Sequence, residues 1–217
     1  MSKSKKRSYC SESRKAKAAQ TKERILKSAK NLFESEGFEC TTIEKIAGLA
    51  GVSIPMVYAL FQSKRGILRA LMNELFPKEQ FEDLVKKSIQ ASSSQESLLY
   101  SAKIARQIYD AERTQMDVFR GVSVLSSEFK ELEKEREMRR YNRQEVTIQA
   151  MIQEGSLVSN LSANQARDIL WTFTGRDIYR MLVIERGWTP DAYEKWLAEL
   201  LISSLIDGKA ILSKNHS

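Results

Sequence analysis

The stretch Thr41 to Lys64, TTIEKIAGLAGVSIPMVYALFQSK, decides the fold. It is apolar enough to pack as helix, yet it carries two glycines and a proline. Thr41 with Glu44 three residues on has the form of a capping box, which predicts a helix turning Ile43, Ile46, Ala47 and Ala50 inward. Gly51 ends that helix after about two turns. Ser53 suits the N-cap of a third helix, and Pro55 falls in its first turn, where the missing N–H has no helical partner to lose. Val57, Leu60 and Phe61 are expected to face the core. Ser63 then caps a fourth helix through Ile67, Leu68, Leu71, Met72 and Leu75, stopped by Pro77. The breaks punctuate a run of short helices.

Before this stretch, Ile25, Leu26, Ala29, Leu32 and Phe33 recur at helical spacing from Gln20 onward, and Gly37 closes that helix. Residues 1–18 lack such spacing and read as a basic, flexible arm, with residues 19–76 forming the first domain. After Pro77 the pattern predicts helices over about 79–91, 95–111, 114–127, 128–154, 163–186 and 190–212, a larger helical domain over 77–217. No segment alternates β-branched residues in the manner of a strand. With only 9 Gly and 3 Pro to build turns, the fold class is all-α. The segment EFKELEKEREMRRYNRQE pairs opposite charges at helical spacing, such as Glu133 with Arg136 and Glu135 with Arg139, and reads as a solvated face.

The chain carries a formal net charge of +7, and its placement is uneven. Up to position 80 there are 16 Lys/Arg against 8 Asp/Glu, leaving 19 against 20 for the remainder. All the surplus positive charge thus lies in the first third, as expected where that part meets a polyanion.

Several function classes lose their footing. The one histidine, His216, stands next to last, so the commonest general base and metal ligand are scarce. No nucleophile–base pair, metal cluster or phosphate-cradling glycine loop is visible, and the expectation is a protein that is no enzyme, with no cofactor and no metal. Cys10 and Cys40 are too few for a disulfide framework. No apolar run reaches the roughly 20 residues of a membrane span, and the start shows no signal peptide, so a cytoplasmic location without membrane contact is expected.

Two short helices joined at AGVS and packed on a preceding helix make a helix-turn-helix, whose second helix enters the major groove of DNA by its N-terminal end. Thr41 and Thr42 would then place hydroxyls and free N–H groups where a phosphate is favoured, with Lys64 holding another and Tyr58 turned outward to the backbone. The run TTIEKIAGLAGVSIPMVYALFQSKRGILRAL, preceded by LFESEGFE, resembles the N-terminal domain of the TetR family of bacterial transcriptional regulators. The Thr-Thr start, Ile-Ala, Ala-Gly-Val-Ser, Tyr-x-x-Phe and Ser-Lys all stand in register over about residues 20–75. The resemblance implies that Thr42, Tyr58 and Lys64 grip phosphates, that Lys45 joins them, and that Ile54, Pro55, Met56 and Ala59 face base edges. The sequence departs from the family's commoner Lys-Gly-Thr after Ser53. Ile54 and Met56 cannot form bidentate hydrogen bonds, so readout would lean on thymine methyls, on Ser53 and on DNA shape. Lys5, Lys6, Arg7, Arg14 and Lys15 of the arm would add affinity without sequence preference.

For the remainder, the resemblance implies a helical body with a ligand pocket and a homodimer interface on the last two long helices. The breadth of the apolar stripe agrees, with Trp171, Ile178, Leu182, Trp196, Leu197, Leu200, Leu201 and Leu205 as core or interface candidates. Tyr100, Ile104, Tyr109, Met116, Phe119, Met151, Trp171 and Phe173 are candidates to line a pocket, with Arg176 and Asp177 as polar points. Two readings stay open. In one the chain is a homodimeric repressor released from a double-stranded operator by an unknown small apolar or amphipathic effector. In the other the same DNA-binding head carries a body that binds a protein partner and no small ligand.

Overall fold

The computed structural model describes residues 4–74, 78–114 and 127–207, without the side chains of 4–15, 78, 114, 128 and 129. Two compact units divide the described residues: up to Glu74 together with 127–132, and 78–114 together with 133–207. No strand forms among them. One antiparallel bridge, Leu157 with Ile206, is the sole extended pairing described.

The first unit holds α1 (Ser4–Glu36), α2 (Ile43–Ala50), α3 (Ile54–Phe61) and α4 (Lys64–Glu74). Helix α1 starts at Ser4, well before the expected Gln20, so the basic segment expected as a flexible arm is helical from Ser4. Lys, Arg, Glu and Ala there are good helix formers. Its buried face begins at Ile25 and runs through Leu26, Ala29 and Phe33. These pack with Ile43, Ile46, Val57, Phe61, Ile67 and Leu68 into one core.

Three local devices set the angles. Gly37 and Gly51 take left-handed conformations with φ of 81° and 63°. At Gly51 the N–H reaches Gly48 O at 3.2 Å and that of Val52 reaches Ala47 O at 3.0 Å, a Schellman termination of α2. Helix α2 is capped by Thr42, whose Oγ1 accepts from the Lys45 N–H at 3.3 Å, one residue later than the expected Thr41. Between α3 and α4, Ser63 Oγ accepts from the Gly66 N–H at 3.0 Å. At Gly66 an added Cβ would lie 1.8 Å from the Phe61 carbonyl oxygen, so the two helices close to this distance only without a side chain. Leu60 departs from expectation. It is 38% exposed, because burying Val57 and Phe61, four residues apart, turns position 60 to the flank.

The second unit contains α5 (Lys78–Ile89), α6 (Ser94–Thr114), α7 (Ser127–Glu154, from Glu133), α8 (Ala163–Phe173), α9 (Arg176–Tyr179) with a π-helical segment Arg180–Glu185, and α10 (Pro190–Leu205). Helices α6 and α10 form its main packed pair. Leu98, Ala102 and Ala105 join Leu197, Leu201 and Leu205 in one core with Ile148, Met151 and Leu170. Tyr179 stands edge-on to Tyr193 at 5.0 Å and tilted against Tyr109 at 5.8 Å.

The single helix expected over 163–186 is broken at Thr174–Gly175. Thr174 Oγ1 donates to Leu170 O at 2.6 Å, and Gly175 takes an extended ψ of 156°. Arg140 from α7 donates to the Trp171 carbonyl at 2.6 Å and to Thr174 Oγ1 at 2.7 Å, which satisfies the groups the break frees. The helix expected over 190–212 ends at Leu205 and leads into the bridge at Ile206. The helix expected over 114–127 falls almost wholly outside the described residues, as do Leu75 and Pro77.

Thermal denaturation separates two kinds of glycine. Gly66→Ala is expected to cost about 3 kcal/mol or more by driving Cβ into a carbonyl. Gly51→Ala meets open space and should cost only about 1–2 kcal/mol for its left-handed backbone. Equal losses at both sites would contradict the close approach of α3 and α4.

Candidate nucleic-acid interface and body cavity

Helices α2 and α3 meet at 107°, within the range of a helix-turn-helix. Val57 and Phe61 anchor α3 in the core. Every other residue from Ser53 to Leu60 is exposed, including Ile54 at 39%, Met56 at 45% and Tyr58 at 47%. Ser53 stands at the N-cap but forms no side-chain cap bond, which leaves its hydroxyl at the helix's positive end, while the Met56 N–H donates to the Ser53 carbonyl at 3.0 Å. Ile54, Pro55, Met56 and Ala59 thus share a protruding, largely apolar surface with the Tyr58 phenol as its polar point.

The expected phosphate-holding residues divide. Thr42 is exposed at the start of α2, its oxygen capping the helix. Glu44 lies beside it, its carboxyl held below the usual carboxylate range by a backbone N–H and by the Thr42 hydroxyl. Lys45 is exposed and reaches Glu36 at 2.5 Å and the Cys40 carbonyl at 3.3 Å. A solvent-exposed pair of this kind is worth about 0–1 kcal/mol, so a phosphate competes for the ammonium easily. Thr41 is otherwise placed than expected. It is 1% exposed and donates its hydroxyl to Gly37 O at 2.8 Å, so it pins the end of α1 to the start of α2. Lys64 is engaged too. Its Nζ donates to Phe38 O at 2.6 Å, Thr41 O at 3.1 Å and Glu39 O at 3.4 Å, and stands 4.3 Å over the Phe38 ring. It clamps the α1–α2 loop from α4.

In the body, a cavity of about 40 Å³ is lined by residues of α5, α6 and α7 and by Thr174 at the α8–α9 break. Of the expected lining residues, Ile104 and Tyr109 line it. The Tyr109 phenol, pushed up to about 12 chiefly by burial, donates to Thr174 O at 3.1 Å. The others lie elsewhere. Met151 is fully buried in the core, Phe173 packs against it, and Tyr100 lines a surface groove between α6 and α10. The Trp171 ring faces the Arg140 guanidinium at 5.2 Å. Arg176, expected as a polar point of the pocket, is engaged in ion pairs. It pairs with buried Glu112 at 2.9 Å and with Glu133, while Asp177 is exposed and pairs with Arg180 at 3.3 Å. Met116 and Phe119 lie outside the described residues.

Sequence reasoning missed the polar side of this cavity: Arg140, Arg143, Gln144 and Thr147 of α7, with Thr174. It also took their segment for a solvated face. Instead Glu133 meets Arg176, and Arg136 meets Glu112 at 2.5 Å, with Glu112 only 7% exposed. A signal existed. Positions 140, 143, 144 and 147 repeat at helical spacing in register with Ile148 and Met151, so they share the inward face.

Among the described residues, no helix is long and apolar enough to cross a membrane, though the bent α2–α3 pair passes together on length and composition. Burial of Val57 and Phe61 in the head's core accounts for that composition. No group of metal-binding side chains occurs among the described residues.

Residues 25–71 match the sequence model described as "Bacterial regulatory proteins, tetR family". No curated protein matches the chain. Among solved structures, the chain is similar to NalD, the secondary repressor of the MexAB-OprM multidrug efflux pump in Pseudomonas aeruginosa. They share 20% identity over 89% of this chain and 99% of that one, with a TM-score of 0.63. The SmeT–triclosan complex is similar at 16% identity over 88% and 93%, with a TM-score of 0.65. So is a transcriptional regulator from Saccharomonospora viridis in complex with choline, at 21% over 87% and 99%, with a TM-score of 0.59. At these identities the likeness is one of fold, and it extends through the helical body. Residues 25–71 thus resemble the TetR-family helix-turn-helix in sequence, and the whole helical layout resembles these regulators in fold.

Proposed function

We propose that the chain acts as a homodimeric repressor that leaves its operator when a small molecule occupies the body. The observation that carries the DNA-binding part is α3, held by Val57 and Phe61 and otherwise exposed from Ser53 to Leu60. Thr42, Lys45 and Tyr58 hold phosphates around it, while Lys64 and Thr41 set the loop that presents Thr42. Ile54, Pro55, Met56 and Ala59 meet base edges through thymine methyls and groove shape, with Ser53 as the hydrogen-bonding point. The basic turns of α1 add salt-dependent affinity.

Exposed Met181, Ile184 and Trp188, beside part-buried Leu182 and Trp196, support pairing of two chains through α9, the π segment and α10. Leu197, Leu201 and Leu205 are fully buried within the chain and belong to its own core. The cavity supports an effector site, as do the repressor role of NalD and the triclosan and choline complexes of the other relatives. Release requires that the effector bind more tightly to the conformation whose two heads are wrongly spaced for the operator.

Footprinting on the DNA flanking the chain's own gene tests the reading. Protection of an inverted repeat by a dimer is expected, whereas no binding to any duplex at low salt refutes it. Operator binding indifferent to every small molecule would favour a body built for a protein partner. Within the head, Met56→Ala should change the ranking of DNA sites, and Tyr58→Phe should weaken all sites alike. Lys64→Ala should lower stability by about 1–3 kcal/mol through three orphaned carbonyls, and leave the salt dependence of binding unchanged. A drop of about 1 in that salt slope would instead make Lys64 a phosphate contact.

A further inference from the structure

The polar groups around the body cavity make demands that the chain itself leaves unmet. Gln144 is 9% exposed, and its Nε2 donates to Thr174 Oγ1 at 2.8 Å. The one proton of that hydroxyl goes to Leu170 O, so Thr174 accepts from Gln144 and the amide orientation follows. Gln144 Oε1 is then a buried acceptor with no donor. Next to it on α7, Arg143 lines the same cavity and faces the Phe81 ring at 4.8 Å. Arg136, Arg140, Arg167 and Arg176 each have a carboxylate partner. Arg143 has none among the described residues. Desolvation and, after it, the neighbouring Arg140 hold its pKa below the usual arginine range, opposed only by the Tyr109 phenol.

The rest of the lining is mixed. Val85, Ile104, Ala105 and Ile108 present apolar surface, and exposed Ile89 marks the side open to solvent. At about 40 Å³ the cavity has room for a charged head group and its nearest atoms, with an apolar remainder lying along α5 and α6 toward Ile89.

We propose that the effector is a small organic anion carrying its own O–H or N–H donor, its negative group bound by Arg143 and its donor by Gln144 Oε1. This rests on the regulator reading above and names the chemistry of its effector. A part-buried cation with no carboxylate partner, beside a buried acceptor with no donor, becomes favourable when one ligand satisfies both. Arg140, Gln144 and Tyr109 all hold Thr174 at the α8–α9 break. A ligand that draws on Gln144 or Arg140 therefore acts on the joint from which α9 and the π segment run.

Calorimetric titration of the full chain with four probes tests the proposal: 3-hydroxybenzoate, benzoate, 3-hydroxybenzyl alcohol and inorganic phosphate. 3-Hydroxybenzoate should bind tightest, with benzoate several-fold weaker and the neutral alcohol and phosphate each weaker by about tenfold or more. Arg143→Met should erase the advantage over the alcohol without lowering the unliganded Tm, and Arg143→Lys should keep part of it. Gln144→Leu should erase the advantage over benzoate. Equal binding of anion and alcohol, phosphate binding as tight as the aromatic acid, undiminished discrimination in Arg143→Met, or no binding by any probe overturns the proposal. DNA binding measured on the same samples separates the two readings. If it persists, only the anionic effector is lost, and if the unsubstituted chain binds no duplex, the regulator reading itself falls.

Discussion

The head depends on the anchoring of an eight-residue helix by two side chains. A helix as short as α3 does not hold itself in water, because the unfavourable nucleus is repaid only over a longer run. Val57 and Phe61 supply what length cannot, by entering the core that α1, α2 and α4 close around them. Their spacing of four leaves one face free. Ile54, Met56 and Tyr58 are exposed for the same reason that Val57 and Phe61 are buried.

Everything near α3 serves to keep that geometry. The Schellman turn at Gly51 sets its approach to α2, and the bare Cα of Gly66 lets α4 close on the Phe61 carbonyl. Lys64 then ties α4 back to the α1–α2 loop through three carbonyls, and Thr41 ties the loop to α1. A lysine and a threonine at surface-like positions thereby hold loop backbone in place. The head presents the largely apolar exposed face of α3 on a hydrogen-bonded frame that includes the charged Lys64 ammonium.

The body inverts this arrangement. Its frame is an apolar core of leucines and three tyrosines in edge-on and tilted contact, and its polar groups converge inward on the Thr174 break. Glu112 is neutralised by Arg136 and Arg176, which permits an acidic side chain to be buried. Arg143 and Gln144 lack such compensation. Groups left in that state lower stability, and proteins commonly retain them where a ligand completes the arrangement.

The sequence by itself determined the all-helical class, the helix-turn-helix and the exposed face of α3, because caps, glycines and the register of Val57 and Phe61 are local signals spanning one or two turns. The break at Gly37, the stop at Gly51 and the start at Ser53 needed no distant partner. Tertiary structure decided what depends on residues far apart in the chain. Lys64 looked free until Phe38, Glu39 and Thr41 closed on it from some 25 positions away. Arg140 became a bracket for a helix break only when Thr174 arrived from 34 positions away. The charged run on α7 read as solvent-facing because spacing pairs each Glu with the nearest Arg on the same helix. Packing sent Arg136 and Glu133 instead to partners on α6 and α9, since a buried charge takes the partner that shares its burial, and sequence distance does not record which groups lose water together.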